Sequence, residues 1–213
     1  MKSLRIVEQV SINKMIAEFL RNNLHQIKKE DVTNFKILEQ PDIKDIKENK
    51  LRWNLFSDKF WLFVRFLPQC DWFECEITLP ESFKNIRIID EESWKNNLFS
   101  GEHLVENINI EKFEEDNHFL KINQFFQNNI EKFINEKYII GIEKYDNEKV
   151  TIIDGNHRFS ALYWAYINNR IKDFKLKMII GFTYGKCRWI GDEVNWIERP
   201  SKTNERRYIL NIW

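Results

Sequence analysis

Between Ser11 and Lys29 the apolar residues Ile12, Met15, Ile16, Phe19, Leu20, Leu24 and Ile27 recur at spacings of three and four, the period of one helical face. Ser11 stands just ahead of them, where a hydroxyl accepts from a free backbone N–H of the first turn. The pattern predicts an N-terminal amphipathic helix. From Lys36 to Leu51 the charges alternate without a clear period and Pro41 interrupts them, so a connector with room for a short helix is expected. The period then changes. Phe60, Leu62, Val64 and Phe66 alternate with Trp61, Phe63 and Arg65, the stretch Leu67 to Asp71 has turn composition, and Phe73, Cys75, Ile77 and Leu79 alternate again. A period of two is that of a strand, and the two runs predict an aromatic β-hairpin closed by Pro80 and Glu81. Ile86 to Ile89 offers a further short strand.

The later part of the chain is more regular. Phe119, Ile122, Phe126, Ile130 and Phe133 mark a helix face ending near Asn135, and Tyr138 to Tyr145 follows as a strand. Asp146 to Lys149 is a polar loop, Val150 to Ile153 a second strand, and a helical pattern runs through Ala161, Leu162, Ala165 and Tyr166 before a strand over Phe174 to Phe182. Helix, strand, turn, strand, tight turn, helix, strand is an α/β (α+β) order.

The length of 213 residues suits one main domain with an elaborated N-terminal half, divided here as an elaboration over 1–100 and a core with a C-terminal extension over 101–213. Lys and Arg number 33, as do Asp and Glu, so the formal net charge of +0 removes the broad positive field on which non-specific nucleic-acid binding relies. Arg199, Lys202, Arg206 and Arg207 form the one local basic cluster. With 43% hydrophobic and 31% charged residues the chain is expected to fold. Its 8 Trp and 17 Phe point to a core and clefts built largely from rings. Apolar runs such as Phe60 to Val64 fall far short of the roughly 18 residues that span a bilayer, and the charged start from Met1 to Val10 has no small-residue cleavage pattern. No membrane segment and a cytoplasmic location are therefore expected. Cys70, Cys75 and Cys187 match neither a zinc ribbon nor a CxxC pair, so reduced thiols and no protein-held metal are expected.

One segment stands apart: Ile152-Ile153-Asp154-Gly155-Asn156-His157-Arg158-Phe159-Ser160-Ala161. A buried strand runs into a glycine, and an amide, an imidazole and a guanidinium follow at the first turn of a helix. The first N–H groups of a helix have no intrahelical partner, and the helix dipole adds partial positive charge there, so the layout suits an anion such as phosphate. Gly155 permits a positive φ and close approach of a ligand. Arg158 offers a planar fork matched to two phosphate oxygens, and His157 one further donor. Asp154 is either the cap of the helix or a functional carboxylate.

Asp154-Gly155-Asn156-His157-Arg158, followed by Ala161, resembles the signature of the ParB/sulfiredoxin-like superfamily, and the element order from about His103 to Phe182 is similar to that core. Partition proteins of the superfamily carry Gly-Glu-Arg-Arg there and a following helix-turn-helix domain; sulfiredoxins carry Gly-Cys-His-Arg with an attacking cysteine. Neither pattern is present. The nearest branch is the free serine kinase-like one, with Asp-Gly-His-His-Arg, in which Asn156 stands for the first His. The resemblance implies that Gly155, Asn156, His157 and Arg158 hold the phosphates of a nucleoside triphosphate or diphosphate, with Mg²⁺ arriving on it. Asp154 then acts on the hydroxyl of a small-molecule or protein acceptor, and a second carboxylate comes from Glu114, Glu115 or Asp116, with Glu115 the choice. The implied activity is a nucleotide-dependent phosphotransferase (kinase) or a nucleoside-phosphate hydrolase. The alternatives are a ParB-like nuclease or nucleic-acid-processing protein, against which the balanced charge weighs, and a non-catalytic nucleotide-sensing module.

Overall fold

In the N-terminal helix, the Lys14 N–H donates to Ser11 Oγ at 3.3 Å, so Ser11 is the N-cap the pattern predicts. The computed structural model describes residues 4–32, 34–89, 104–115, 137–187 and 189. Helix α1 (Ile12–Asn22) buries Met15, Ile16, Phe19 and Leu20 and stops at Asn23. The predicted helix is shorter than expected because its last apolar residues, Leu24 and Ile27, lie in and just beyond a 3₁₀ turn over Leu24–Gln26.

The connector holds more helix than its charge pattern suggests. A short α2 (Lys36–Glu39) precedes α3 (Ile46–Lys59), whose N-cap Asp45 accepts from the N–H groups of Lys47 and Glu48 at 2.8 and 3.0 Å. Polar residues on the inward face hide the period of α3. Arg52, only 1% exposed, donates to the carbonyls of Ile37 and Asp42, to the Glu48 carboxylate and to Asn49 Oδ1 at 2.6 to 3.0 Å. A buried guanidinium is tolerated because acceptors engage both Nη atoms, while Nε stands buried without a partner.

The aromatic hairpin is corrected. Trp61–Phe66 is a helix, α4, joined to α3 through Phe60, and only the second run, Asp71–Leu79, is a strand. In an uninterrupted apolar run alternation alone does not separate strand from helix. Packing separates them, because Phe60 and Phe63, three residues apart, both reach Phe19, at ring-centroid distances of 5.0 and 4.5 Å, and Phe56 completes the cluster. Burying each ring contributes on the order of 2 kcal/mol.

Among the described residues the strands form one sheet. They are β1 (Leu4–Gln9), β2 (Asp71–Leu79), β3 (Ile86–Ile88), β4 (Ile139–Lys144), β5 (Val150–Asp154) and β6 (Phe174–Thr183), in the order β1-β2-β6-β4-β5-β3. β6 and β4 are parallel, as are β5 and β3; the other neighbours are antiparallel. The chain is therefore mixed α/β, with the strands after residue 137 in the middle and those before residue 90 at the flanks. The strands predicted after Tyr138 stand within a residue or two of their expected bounds. β1, an exposed edge, was not foreseen. α1 lies against the face that carries Trp72 and Glu74, where the Val10 N–H donates to the Trp72 carbonyl at 2.9 Å and Lys14 Nζ to Glu74 Oε2 at 2.7 Å. Two further helices are α5 (Ile110–Glu114) and α6 (Asn156–Ile167). α6 packs through Phe159, Tyr163 and Tyr166 on the Phe83 ring just before β3. The helix expected over 119–133, Asp116, His118 and the basic cluster at 199–207 lie outside the described residues. No helix among those described is long and apolar enough to cross a membrane.

Candidate functional site

β5 ends at Asp154, and Gly155 follows in the left-handed region at φ 90°, ψ 18°, turning the chain directly into α6. Glycine is required there twice over. Its φ is one that L side chains rarely adopt, and a Cβ would lie 3.0 Å from Arg158 Nη2 and 3.1 Å from Ile139 Cγ1. The N-terminus of α6 carries no side-chain cap. Capping is thus not what Asp154 does here; its side chain turns to α1.

Two amides at the end of α1 receive it. Asn22 Nδ2 donates to Asp154 Oδ2 and, at 2.9 Å, to the Tyr138 carbonyl; Asn23 Nδ2 donates to Asp154 Oδ1 at 3.1 Å and to the Phe19 carbonyl at 2.9 Å. Asn22 Oδ1 is buried with no hydrogen-bond partner. These contacts need α1 to be held over the start of β4, and a polar link beside the sheet does so. Tyr138 Oη and Lys14 Nζ both donate to Glu74 Oε2, at 2.8 and 2.7 Å. Burial alone would raise the Glu74 carboxyl, but these two donors outweigh it and hold it below its usual range.

Arg158 faces inward. Its Nη1 donates to the Lys137 carbonyl at 3.0 Å and its Nη2 to the Tyr138 carbonyl at 2.9 Å, while Nη2 stands 3.9 Å from Asp154 Oδ2, an electrostatic neighbour beyond hydrogen-bond reach. The fork expected to grip phosphate thus ties the entry of β4 to the first turn of α6. Burial pushes its guanidinium down from the usual value, and the Asp154 charge acts the other way. His157 is half-buried in the same turn and does not line the cleft described next.

A cleft of about 330 Å³ lies at the turn. Asp154 and Asn156 form part of its lining, with Asn23 at the C-cap of α1, Gln26 in the 3₁₀ turn after it and Lys59 from the end of α3 as the remaining polar lining. Phe19, Phe60, Trp61, Phe63 and Trp189 supply an aromatic wall. Asn156 Oδ1 accepts from the Ile89 N–H at 3.2 Å, which leaves its Nδ2 as the donor end. Lys59 Nζ is 2.7 Å from Asp31 Oδ1, and that bond raises the lysine. The volume falls at the lower end of the range typical of small-molecule sites, and an aromatic wall with a few convergent polar groups is their usual lining.

The structure brings Asp154 and Asn156 to this cleft; Gly155 joins them in the turn without lining it, and Arg158 does not line it either. It does not bring Glu115 there. Glu115 is the exposed C-cap of α5. Its neighbour Glu114 accepts from Trp164 Nε1 at 2.6 Å, and Trp164 lies about 12 Å along α6 from Asn156 at 1.5 Å rise per residue. Asn22, Asn23, Gln26 and Lys59 were not anticipated. The side-chain contacts of Asn22 and Asn23 with Asp154 span 132 and 131 residues, and no spacing rule announces contacts at that separation. Among the described residues no group of three or more His, Cys, Asp or Glu could hold a metal ion, and none of the three cysteines is in a disulfide. No protein-family model matches the chain, and no curated protein or solved structure matches it.

Proposed function

We propose that the cleft binds a nucleotide and that the chain is a ParB/sulfiredoxin-like protein that transfers the terminal phosphoryl group to an acceptor hydroxyl or to water. The observation that carries this reading is the shared position of Asp154 and the Gly155 turn. The carboxylate and the uncapped N-terminus of α6 open into one aromatic-walled cleft. Phosphates fit the positive end of α6, with Asn156 Nδ2 and Lys59 Nζ as donors; a helix N-terminus contributes about 0.3 to 1 kcal/mol to holding such a charge. The phosphate grip therefore moves from Arg158 to these groups, and Arg158 becomes a positioning residue that fixes Asp154 and the strand beside it.

Asp154 is the one acid among the described residues lining the cleft. That suits Mg²⁺ carried mainly by the phosphates, which the ion commonly prefers to an all-protein cage. In the reaction Asp154 orients the acceptor O–H and takes its proton while the acceptor oxygen bonds to the terminal phosphorus. The bond from that phosphorus to the bridging oxygen breaks, and the shortened nucleotide leaves with the electron pair.

A second reading, a nucleotide-sensing module without turnover, is favoured by the two amides that already occupy both oxygens of Asp154. Incubation with each nucleoside triphosphate and diphosphate plus Mg²⁺, read by thermal shift and phosphate release, tests the proposal. Phosphotransfer requires a raised melting temperature with turnover that Asp154→Asn abolishes while affinity stays within about threefold. Stabilisation without turnover supports the sensing module. No stabilisation by any nucleotide at millimolar concentration overturns both.

A further inference from the structure

β1 is one end of the sheet, and among the described residues no strand pairs with its outer edge. Such an edge carries unpaired main-chain N–H and C=O groups, which another strand can take up. From Arg5 to Gln9 every residue of β1 is exposed, including two neighbouring apolar side chains, Ile6 at 53% and Val7 at 46%. The register with β2 fixes which way they face. Arg5 stands opposite Glu76 and Glu8 opposite Glu74, two positions on one face of β2, whereas Leu4, Ile6 and Gln9 stand opposite Ile77, Cys75 and Phe73 on the other. Val7 is the extra residue of a bulge between Ile6 and Glu8. In a straight strand residues three apart lie on opposite faces. The bulge brings Arg5 and Glu8 onto the same one.

We propose that β1 pairs with β1 of a second copy of this chain, antiparallel about a two-fold axis between Ile6 and Val7, so that the two sheets join edge to edge. In this register Arg5 of each copy stands opposite Glu8 of the other, Ile6 opposite Val7 and Leu4 opposite Gln9. Residues that face each other across an antiparallel pair must share a face of the sheet, and Arg5 with Glu8, and Leu4 with Gln9, do so because of the bulge. Two features select a second copy over an extended segment of another chain. The strand is complementary to itself in charge, with both Arg5–Glu8 contacts made at once by the symmetry. A bulge also turns an edge away from a straight strand, and a second copy carries the same interruption at the same place. Arg5 and Glu8 are held near the sheet already, Arg5 Nε at 3.7 Å from Glu76 Oε1 and Lys14 Nζ at 3.2 Å from Glu8 Oε1. One strand pair lies at the low end of specific interfaces, so a reversible dimer with a Kd on the order of 10 to 100 μM is expected.

Sedimentation equilibrium of the full chain from about 1 to 500 μM, a range that brackets the expected Kd, tests this. Arg5→Glu sets carboxylates against each other in both contacts and Glu8→Arg does the same with guanidiniums, so each variant should self-associate about tenfold more weakly than the parent. An equimolar mixture of the two variants restores opposite charges in both contacts and should form a heterodimer about as tight as the parent dimer. Recovery on mixing is a result that damage to either monomer does not produce. Both side chains are largely exposed, so the fold should survive each change. Hydrogen exchange of the unaltered protein gives a readout free of substitution, in which N–H groups within Leu4–Gln9 gain protection as concentration rises. A monomer up to 500 μM overturns the proposal, whatever else the edge binds. So does a dimer that neither variant weakens, or a mixture in which association is not recovered.

Discussion

Asp154 and Glu143 sit on neighbouring antiparallel strands, and their surroundings are opposite. Asp154, at the end of β5, receives Asn22 and Asn23 from α1 and has the Arg158 guanidinium within 3.9 Å. Glu143, on β4, is buried with no hydrogen-bond partner for Oε2, and burial, aided by the nearby Glu148 charge, pushes its carboxyl from 4.5 up to about 7. A sheet uses its own N–H groups in the ladder, so a carboxylate within it finds donors only where another element delivers them. At the β5 terminus α1 does so. Over Glu143 nothing described does.

The sharpest way to break the contrast is Arg158→Ala. It strips two main-chain carbonyls of their donor and Asp154 of its nearest cation, and should cost about 4 kcal/mol in urea denaturation. Arg158→Lys should recover less than half of that, because one ammonium cannot reproduce a fork aimed at two carbonyls.

Glu143 should behave in the other direction. Its folded pKa lies above the ordinary value, so its protonated form favours the fold: the stability is fully present below about pH 4.5 and is lost as pH rises through about 7. The loss integrates to about 3 kcal/mol from a shift of that size. Glu143→Gln should therefore stabilise the protein by up to that amount at pH 8, change little at pH 4, and flatten the slope between. An unchanged pH profile would mean that the carboxyl finds a partner after all.

The smallest effect sharpens the comparison at Asp154. Asn23→Ala removes one of two amides and should cost about 1.5 kcal/mol, less than Arg158→Ala, since Asn22 remains. A loss equal to that of Arg158→Ala would show that the network acts as one unit.

Much of this molecule was legible before any coordinates. The period of three and four from Ile12 to Leu20, the cap at Ser11 and the strand–glycine–helix order around Gly155 stand as read, because each depends on neighbours within a turn or a strand. The reading failed at Trp61–Phe66, where a run apolar except for Arg65 has too few polar positions to fix a period, and at α3, where an inward Arg52 breaks the amphipathic rule. Arg158 was read as facing a ligand. Its residue type and position allow either direction, and the carbonyls of Lys137 and Tyr138 at the entry of β4 decide it.

The sequence by itself determined the turn at Asp154-Gly155 and the helix after it, since backbone sterics at a glycine and helical periodicity are local properties. Only the tertiary structure decided what that turn faces. Asn23 and Gln26, just past the end of α1, and Lys59 through Phe63 at the α3–α4 junction, reach the cleft because the burial of Phe19, Phe56, Phe60 and Phe63 against one another draws α1, α3 and α4 together there. Hydrophobic burial is non-directional and acts between residues at any separation along the chain, so it leaves no spacing in the sequence from which the site could be assembled.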